Sequence, residues 1–224
     1  DDLVVYSRTL SDHCRDLDRV LTRLSLAGLK AKAEKCQFFV PEIDLLGHKV
    51  GRNGVSPEDT KVEAVRNWPT PQNVTEIRAF LAFAGYFRKF VKNFAKTAEP
   101  LNRLTHKDTP FDWLEDQQAA FEHLRDALCC APVLALPDTS KQFVIETDWS
   151  KTGIGWTLFQ MGEDGKLHPV QYGSRSLTKS ERGYAPTKGE FLGMFEGISH
   201  CRHYLLGAKF KARTDHKALV YLHN

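Results

Sequence analysis

The sequence lacks the features of a membrane or secreted protein. No apolar run approaches the roughly 20 residues that a membrane-spanning helix needs, and the first residues do not resemble a signal peptide. The five cysteines are an odd number without Cys-x-x-Cys spacing, which predicts neither a disulfide framework nor a zinc site. We therefore expect an intracellular protein in a reducing compartment, not secreted and with no membrane partner.

Net charge is also small, but it is unevenly placed. The formal charge is +3. Residues 60–107 hold nine lysines and arginines against three acidic residues, whereas residues 108–148 hold two against nine. A polyanion such as nucleic acid would therefore bind at the middle of the chain.

The chain has no initiator methionine and begins with Asp1 and Asp2, directly before the apolar run Leu3 to Tyr6. Such a start predicts a fragment of a longer polypeptide. Adjacent carboxylates repel one another unless a cation or solvent separates them. The pair can therefore be either metal ligands or idle, solvated residues.

Two short stretches share one pattern. Residues 143–148 and 210–215 both place Thr-Asp four residues after a phenylalanine, and each is typical of a strand that ends in a carboxylate. Between them, the helix-like segment 187–205 carries Glu190 in its first turn. Three carboxylates that converge in this way would suit Mg²⁺, which binds through oxygen ligands and substrate phosphates. The pattern points to metal-dependent phosphodiester chemistry.

Each of these carboxylates also has a purely structural interpretation. Asp148 could open a turn. Glu190 could complete a capping box with Thr187. Asp215 could cap a helix that starts at His216. Together these explanations weaken, because three independent caps would not require two matching strands with a helix between them.

Periodicity and turn residues predict the elements of the two ends of the chain. The N-terminal part predicts a strand at 3–6, a helix at 12–27 stopped by Gly28, and strands at 38–40 and 45–50 paired around Pro41 and Glu42. A turn is expected at Asn53 and Gly54. The C-terminal part predicts the order β-β-β-α-β, with strands near 142–147, 153–160, 169–174 and 210–214.

Residues 56–105 are expected to be helical, with Asn73 and Glu76 as a capping box. On a helical wheel, one stripe consists of phenylalanines: Phe80, Phe83, Phe87, Phe90 and Phe94. The opposite face holds Arg78, Gly85, Lys89 and Lys92. We expect the phenylalanines to form core, and the basic face either to let a phosphate backbone approach its bare glycine or simply to be solvated.

At this point a known family is recognisable. The motifs that carry the resemblance are Asp1-Asp2-Leu3-Val4-Val5-Tyr6, Lys35-Cys36-x-Phe38, Leu46-Gly47-His48, Arg78-x-Phe80-Leu81-x-x-x-Gly85-Tyr86-Phe87-Arg88-x-Phe90, Ala131-Pro132-Val133-Leu134-x-x-Pro137-Asp138, Thr147-Asp148-x-Ser150, Ser174-Arg175-x-Leu177, Glu181-x-x-Tyr184, Glu190, His203-Tyr204-Leu205 and Thr214-Asp215-His216-x-x-Leu219. In this order they resemble the Pol polyprotein of Gypsy-type LTR retrotransposons, from the end of the reverse transcriptase palm into the RNase H domain.

The resemblance implies an α/β fold (α+β overall), truncated at both ends. Residues 1–55 would be the end of the palm with a primer-grip-like hairpin, and residues 56–128 the helical thumb and connector. Residues 129–224 would be a C-terminally incomplete RNase H-like domain, with a mixed sheet and flanking helices.

The resemblance also implies roles for individual residues. Asp1 and Asp2 correspond to two of three polymerase metal ligands, and Asp148, Glu190 and Asp215 to three of four RNase H carboxylates. These carboxylates would hold Mg²⁺ or Mn²⁺ for two-metal cleavage of the RNA strand of a hybrid. The nucleic-acid-binding positions would be Gly47, His48, Arg78, Gly85, Lys89 and Lys92.

The chain departs from the family pattern at four positions. Trp149 and Trp156 stand where the family usually has small residues, and Gly189 and Gly193 flank Glu190 in the predicted helix. The tryptophans could face outward or crowd the cleft. Each glycine costs up to roughly 1 kcal/mol relative to alanine in a helix.

These observations leave a leading hypothesis and two others. The first is a fragment of a reverse transcriptase and RNase H that binds template–primer and RNA–DNA hybrid. Its partner would be the rest of the Pol polyprotein, and it could be a monomer or a dimer. It would be located in the cytoplasm, in virus-like particles or in the nucleus. Alone it should not polymerise and should cut weakly or not at all. The alternative is a decayed or host-retained copy that binds nucleic acid without catalysis. An integrase or transposase nuclease is disfavoured, because the thumb-like segment has no place there.

Overall fold

The computed structural model describes residues 3–7 and 9–214. Its helices are α1 (Leu10–Leu26), α2 (Asp59–Arg66), α3 (Val74–Tyr86), α4 (Phe94–Thr97), α5 (Glu99–Leu104), α6 (Glu115–Cys129), α7 (Pro186–His200) and α8 (Arg202–Leu205). The strands are β1 (Glu42–Leu45), β2 (His48–Gly51), β3 (Gly54–Pro57), β4 (Phe143–Trp149), β5 (Gly153–Met161), β6 (Leu167–Ser176) and β7 (Phe210–Arg213). None of the described helices is both long and apolar enough to cross a membrane.

The N-terminal helix forms as expected, but the predicted strands around it do not. Helix α1 is capped by Thr9, whose side chain accepts a hydrogen bond from the Asp12 amide. It is followed by Gly28 with φ of +72°. Residues 3–6 and 38–40 are not strands. The large side chains of the latter segment are exposed, so no sheet face holds them.

The first hairpin turns at Leu46 and Gly47, not at Pro41 and Glu42 as predicted. Its strands β1 and β2 pair from Glu42–Gly51 to Leu45–His48. Both turn residues have positive φ, +49° and +74°, as a two-residue hairpin turn of type I′ requires. Proline, with φ fixed near −65°, cannot supply that conformation. Strand β3 then pairs with β2.

The middle of the chain forms a helical layer with its own core. Phe80, Phe87, Phe90 and Phe94 are buried and Phe83 packs against them, which confirms the phenylalanine stripe as core. Asn73 caps α3 through the Glu76 amide, as predicted. The helix ends at Tyr86, however, and a 3₁₀ turn (Arg88–Phe90) follows. Lys89 and Lys92 therefore do not extend the face of α3 that carries Arg78 and Gly85.

The C-terminal part is a four-stranded sheet in the order β6-β5-β4-β7 with α7 on one face. The predicted β-β-β-α-β order is confirmed. Strands β4 and β7 are parallel, and Phe143 pairs with Phe210. The two matching sequence stretches thus lie side by side in register. A second core, which includes Ile145, Ile154 and Leu158, lies between this sheet and the C-terminal helices.

Candidate nuclease site and nucleic-acid surface

Asp148 lies near the end of β4, on the sheet face opposite α7. Its pairing partner on β5 is Gly155, and directly opposed residues of a sheet share a face. Thr147 and Trp149, its neighbours in the strand, contact α7. Because successive side chains alternate between faces, the Asp148 carboxylate points away from that helix. It is exposed and makes no hydrogen bond or ion pair with any other described residue.

Glu190 lies in the second turn of α7 and is half-buried. The helix begins at Pro186 with Ala185 as the N-cap residue. Proline suits this first position because it has no amide hydrogen to leave unpaired. Thr187 is therefore inside the helix, so the capping-box interpretation of Glu190 is wrong.

The other three predicted metal ligands, Asp1, Asp2 and Asp215, lie outside the described residues. The described pairing of β4 with β7 ends at Glu146 and Arg213, whose side chains form an ion pair of 3.1 Å. Within residues 3–7 and 9–214, no group of three histidine, cysteine, aspartate or glutamate side chains is placed to hold a metal ion.

Trp149 faces α7, on the opposite side of the sheet from Asp148. A Cβ built on Gly189 would lie 2.2 Å from Cε2 of the Trp149 ring. Trp156 is placed similarly, with its Cβ 3.1 Å from the position of a Cβ on Gly197. The Trp149 ring is thus matched by Gly189 on the helix, whereas the Trp156 ring lies against Gly173 of β6, where an added Cβ would come within 2.2 Å of it. Neither ring crowds the Asp148 carboxylate.

His48 packs into an aromatic cluster between the hairpin and the helical layer, which is the predicted thumb. Its ring centroid lies 5.4, 5.5 and 5.7 Å from those of Tyr86, Phe87 and Phe90. Burial, together with the nearby charge of Lys89, lowers the pKa of His48. The Tyr86 hydroxyl donates to the Leu46 carbonyl at 2.5 Å. No partner was predicted for His48, although Tyr86 belongs to one of the motifs that carry the family resemblance.

The remaining predicted binding positions are spread over different surfaces. Arg78 donates to the carbonyl of Thr105 at 3.1 Å, which engages its guanidinium at the end of α5. Gly85 faces open space. Lys89 is half-buried with its ammonium 5.2 Å above the Phe90 ring, and burial lowers its pKa. Lys92 is exposed.

A polar junction joins the thumb to the sheet. The Ala95 amide donates to Ser174 Oγ at 2.9 Å in a buried contact, and Arg88 donates to the Ser174 carbonyl. Asn93 lies against Gly155, where a Cβ would come within 2.2 Å of the Asn93 Oδ1 atom. Beside these contacts is a crevice, the thumb–sheet crevice, lined among others by Asn93, Lys96, Asp148, Ser150, Gly155 and Ser174. Asn93 and Lys96 were not predicted from the sequence.

Arg175 is held by two glutamates. Its guanidinium makes two hydrogen bonds to Glu181, at 2.8 and 2.9 Å, and one to Glu196 at 2.7 Å. These bonds lower the pKa of Glu181 from 4.5 to about 2 and raise that of Arg175. The network ties β6 to α7 and to the turn before it. The Ser174-Arg175 and Glu181 motifs therefore have structural roles in this fold.

The chain matches two protein-family models. Residues 1–50 match "Reverse transcriptase (RNA-dependent DNA polymerase)", and residues 113–212 match "RNase H-like domain found in reverse transcriptase". Similar solved structures include the foamy viral protease-reverse transcriptase in complex with an RNA/DNA hybrid. The TM-score is 0.80 at 22% identity, covering 92% of this chain and 28% of that one. At that identity the likeness shows the fold, which is of the reverse transcriptase and RNase H-like kind.

Curated relatives are similar over nearly the whole chain. The retrovirus-related Pol polyproteins from transposons 412 and 297 of Drosophila melanogaster are each 38% identical, over 99% and 100% of this chain. The Tf2-3 polyprotein of Schizosaccharomyces pombe is 33% identical over 98%. The chain spans between 17% and 21% of the length of these relatives. It is therefore a homologue of the region of retrotransposon Pol polyproteins in which a reverse transcriptase segment is followed by an RNase H-like domain.

Proposed function

We propose that the chain is part of an enzyme that copies RNA into DNA and cleaves the RNA strand of RNA–DNA hybrids. The observation that carries the nuclease half is the placement of Asp148. Its carboxylate is exposed at a strand end, and the strand beside it carries the same Phe-x-x-x-Thr-Asp pattern in register. On this basis we propose Asp215, which lies outside the described residues, as a second metal ligand beside Asp148.

The donor set fits a hard divalent cation. Reverse transcriptase and RNase H-like families are in general dependent on divalent metals, and exposed carboxylates are the ligands that Mg²⁺ or Mn²⁺ prefers. We propose Asp148 and Asp215 as ligands of the nuclease metals, and Asp1 and Asp2 as ligands of the polymerase metals. Glu190 lies on α7, away from which the Asp148 carboxylate points, so it would join the nuclease ligands only around the end of β4. When bound, such ions lower the pKa of a bound water and stabilise the leaving oxygen. Among the described residues, the chain's own contribution is to carry Asp148 on a paired strand and Glu190 on a helix.

The hairpin and thumb would position the nucleic acid. His48 at the hairpin lies near the charge of Lys89, so a phosphate backbone crossing this edge would meet positive charge. Gly47, Arg78, Gly85 and Lys92 remain proposed contacts on neighbouring surfaces. The solved neighbours were studied in complexes with dsDNA and with an RNA/DNA hybrid, which supports template–primer and hybrid as ligands. We also propose the rest of the Pol polyprotein as a partner. A direct measurement of mass in solution would show whether the chain associates with itself.

The test is cleavage of an end-labelled RNA–DNA hybrid in Mg²⁺ or Mn²⁺. It is made with the 224-residue chain and with a longer polypeptide in which the chain is continued by the rest of its Pol polyprotein. We expect weak cutting by the first and strong cutting by the second, abolished by Asp148→Asn. Glu163→Gln, an exposed acid in the β5–β6 turn, is the matched control and should cut normally. Hybrid binding without cutting in either polypeptide would contradict this proposal and favour a non-catalytic binding module.

A further inference from the structure

The thumb–sheet crevice places a lysine of the thumb beside the nuclease carboxylate. Lys96 of α4 and Asp148 of β4 both line it. Neither side chain forms an ion pair or hydrogen bond with another residue in the part of the chain that the structure describes. A cation and an anion that share a crevice without neutralising each other remain available to a ligand that carries both a phosphate and a metal.

The backbone that carries Lys96 is fixed on the sheet. Asn93 starts α4 in the left-handed conformation, with φ of +56°, which asparagine adopts more readily than most residues. Its carbonyl accepts the Lys96 amide at 3.0 Å. Next to Lys96, Ala95 is buried and bonded to Ser174. The position of the lysine relative to β4 and β5 is therefore set by the fold and not by a mobile loop.

The close approach of the thumb depends on Gly155. It is the cross-strand partner of Asp148, and any larger residue would push a Cβ into the Asn93 side chain. Because Gly155 has no side chain, the thumb can pack directly on the sheet, and this packing places Lys96 on the face that carries Asp148. That face is the one opposite α7, and the thumb reaches it through Asn93 and Lys96.

We propose that Lys96 contacts a backbone phosphate of the nucleic acid at the nuclease site, so that the thumb completes a site otherwise built by the RNase H-like sheet. Lysine acts here as a point charge for phosphate. It is a positioning residue that holds the strand while the carboxylates hold the metal. This inference rests on the proposed function for its substrate, but its test does not require cleavage.

The test measures binding of the 224-residue chain to a hybrid whose RNA strand carries 2′-O-methyl groups, so that it is bound without being cut. The variants are Lys96→Gln, Lys96→Arg and the control Lys141→Gln. Lys141 is exposed before the opposite end of β4, about 20 Å along the strand from Asp148. Circular dichroism checks that each variant is folded.

The expected result is a change in salt dependence. Loss of one phosphate contact lowers the slope of log K against log salt by about 0.9, which is about eightfold weaker binding at 0.1 M salt if the proteins bind equally at 1 M. Lys96→Gln should show this loss, Lys96→Arg should restore the slope, and Lys141→Gln should match the wild type. An unchanged slope for Lys96→Gln, or an equal loss for Lys141→Gln, would overturn the proposal.

A double-mutant cycle in Mn²⁺ tests whether Lys96 contacts the nucleic acid at the Asp148 site. Lys96→Gln and Asp148→Asn should be non-additive, because Lys96 would bind directly the phosphate that Asp148 would engage through its metal ion, whereas Lys141→Gln and Asp148→Asn should add. Additive losses for the first pair would mean that Lys96 binds elsewhere on the nucleic acid, which refutes the proposal. If Lys96 supports binding but Asp148→Asn leaves cleavage unchanged, the nuclease assignment fails while the phosphate contact stands.

Discussion

Replacing Gly189 by alanine tests how α7 is packed on the sheet. The added Cβ would lie 2.2 Å from Cε2 and 2.4 Å from Cδ2 of the Trp149 ring, far inside van der Waals contact. The contacted atoms belong to the fused part of a rigid indole, not to the end of a flexible chain. Helix and ring must therefore separate, or the ring must leave its rotamer.

The magnitude follows from two opposing effects. Alanine in place of glycine inside a helix gains about 1 kcal/mol of stability, whereas overpacking a filled site costs typically about 1–3 kcal/mol. Gly189→Ala should therefore lower the free energy of unfolding by up to about 2 kcal/mol. Gly85→Ala on α3 is the matched control, because nothing lies within 4 Å of its Cβ position. It should stabilise by up to about 1 kcal/mol.

Urea unfolding followed by circular dichroism measures both changes, and the informative quantity is their difference of about 1–3 kcal/mol. The double variant Gly189→Ala, Trp149→Phe has a smaller ring opposite the added methyl group. It should recover part of the lost free energy of unfolding, which gives a favourable coupling energy between the two substitutions. Equal stabilisation by the two alanine substitutions would refute the reasoning, since Trp149 could then not lie against α7.

Two further predictions concern the sheet. Glu181→Gln should destabilise the fold by about 1–3 kcal/mol near neutral pH, because it breaks charge-assisted bonds to Arg175. Since the pKa of Glu181 is lowered to about 2 from 4.5, that stability is present above pH 4.5 and is lost as the pH falls toward 2. An acid titration of unfolding should therefore show a shallower slope in the variant; equal slopes would contradict the network. Gly155→Ala should force Asn93 off the sheet and speed hydrogen exchange of the Ala95 amide, which exchange-monitored NMR can measure. Unchanged protection would show that the junction does not depend on this glycine.

Much of the sheet was predictable because its signals are local. A short apolar strand, a glycine-containing turn and a proline-started helix each depend on a few neighbouring residues. The matching stretches at 143–148 and 210–215 also predicted that two strands would be equivalent, and their pairing in register bears this out. Capping at Asn73 was readable for the same reason.

What could not be predicted depends on contacts distant in sequence. The helical wheel assumed one helix through residues 78–94, but Phe87 and Phe90 pack beside His48 of the hairpin, and the chain leaves the helix after Tyr86 to place them there. Likewise, no local pattern shows that Lys96 and Asp148 line one crevice. Their proximity follows from the packing of Asn93 on Gly155, 62 positions further along the chain.

The two tryptophans bear directly on whether the site has decayed. In a strand, neighbouring side chains point to opposite faces, so a large residue next to Asp148 changes the packing under the sheet and leaves the carboxylate face open. Gly189 on α7 leaves room for the Trp149 ring, and Gly173 on β6 leaves room for the Trp156 ring. Because both rings are accommodated on the packed side of the sheet, Asp148 stays exposed, and neither tryptophan argues against the proposed nuclease.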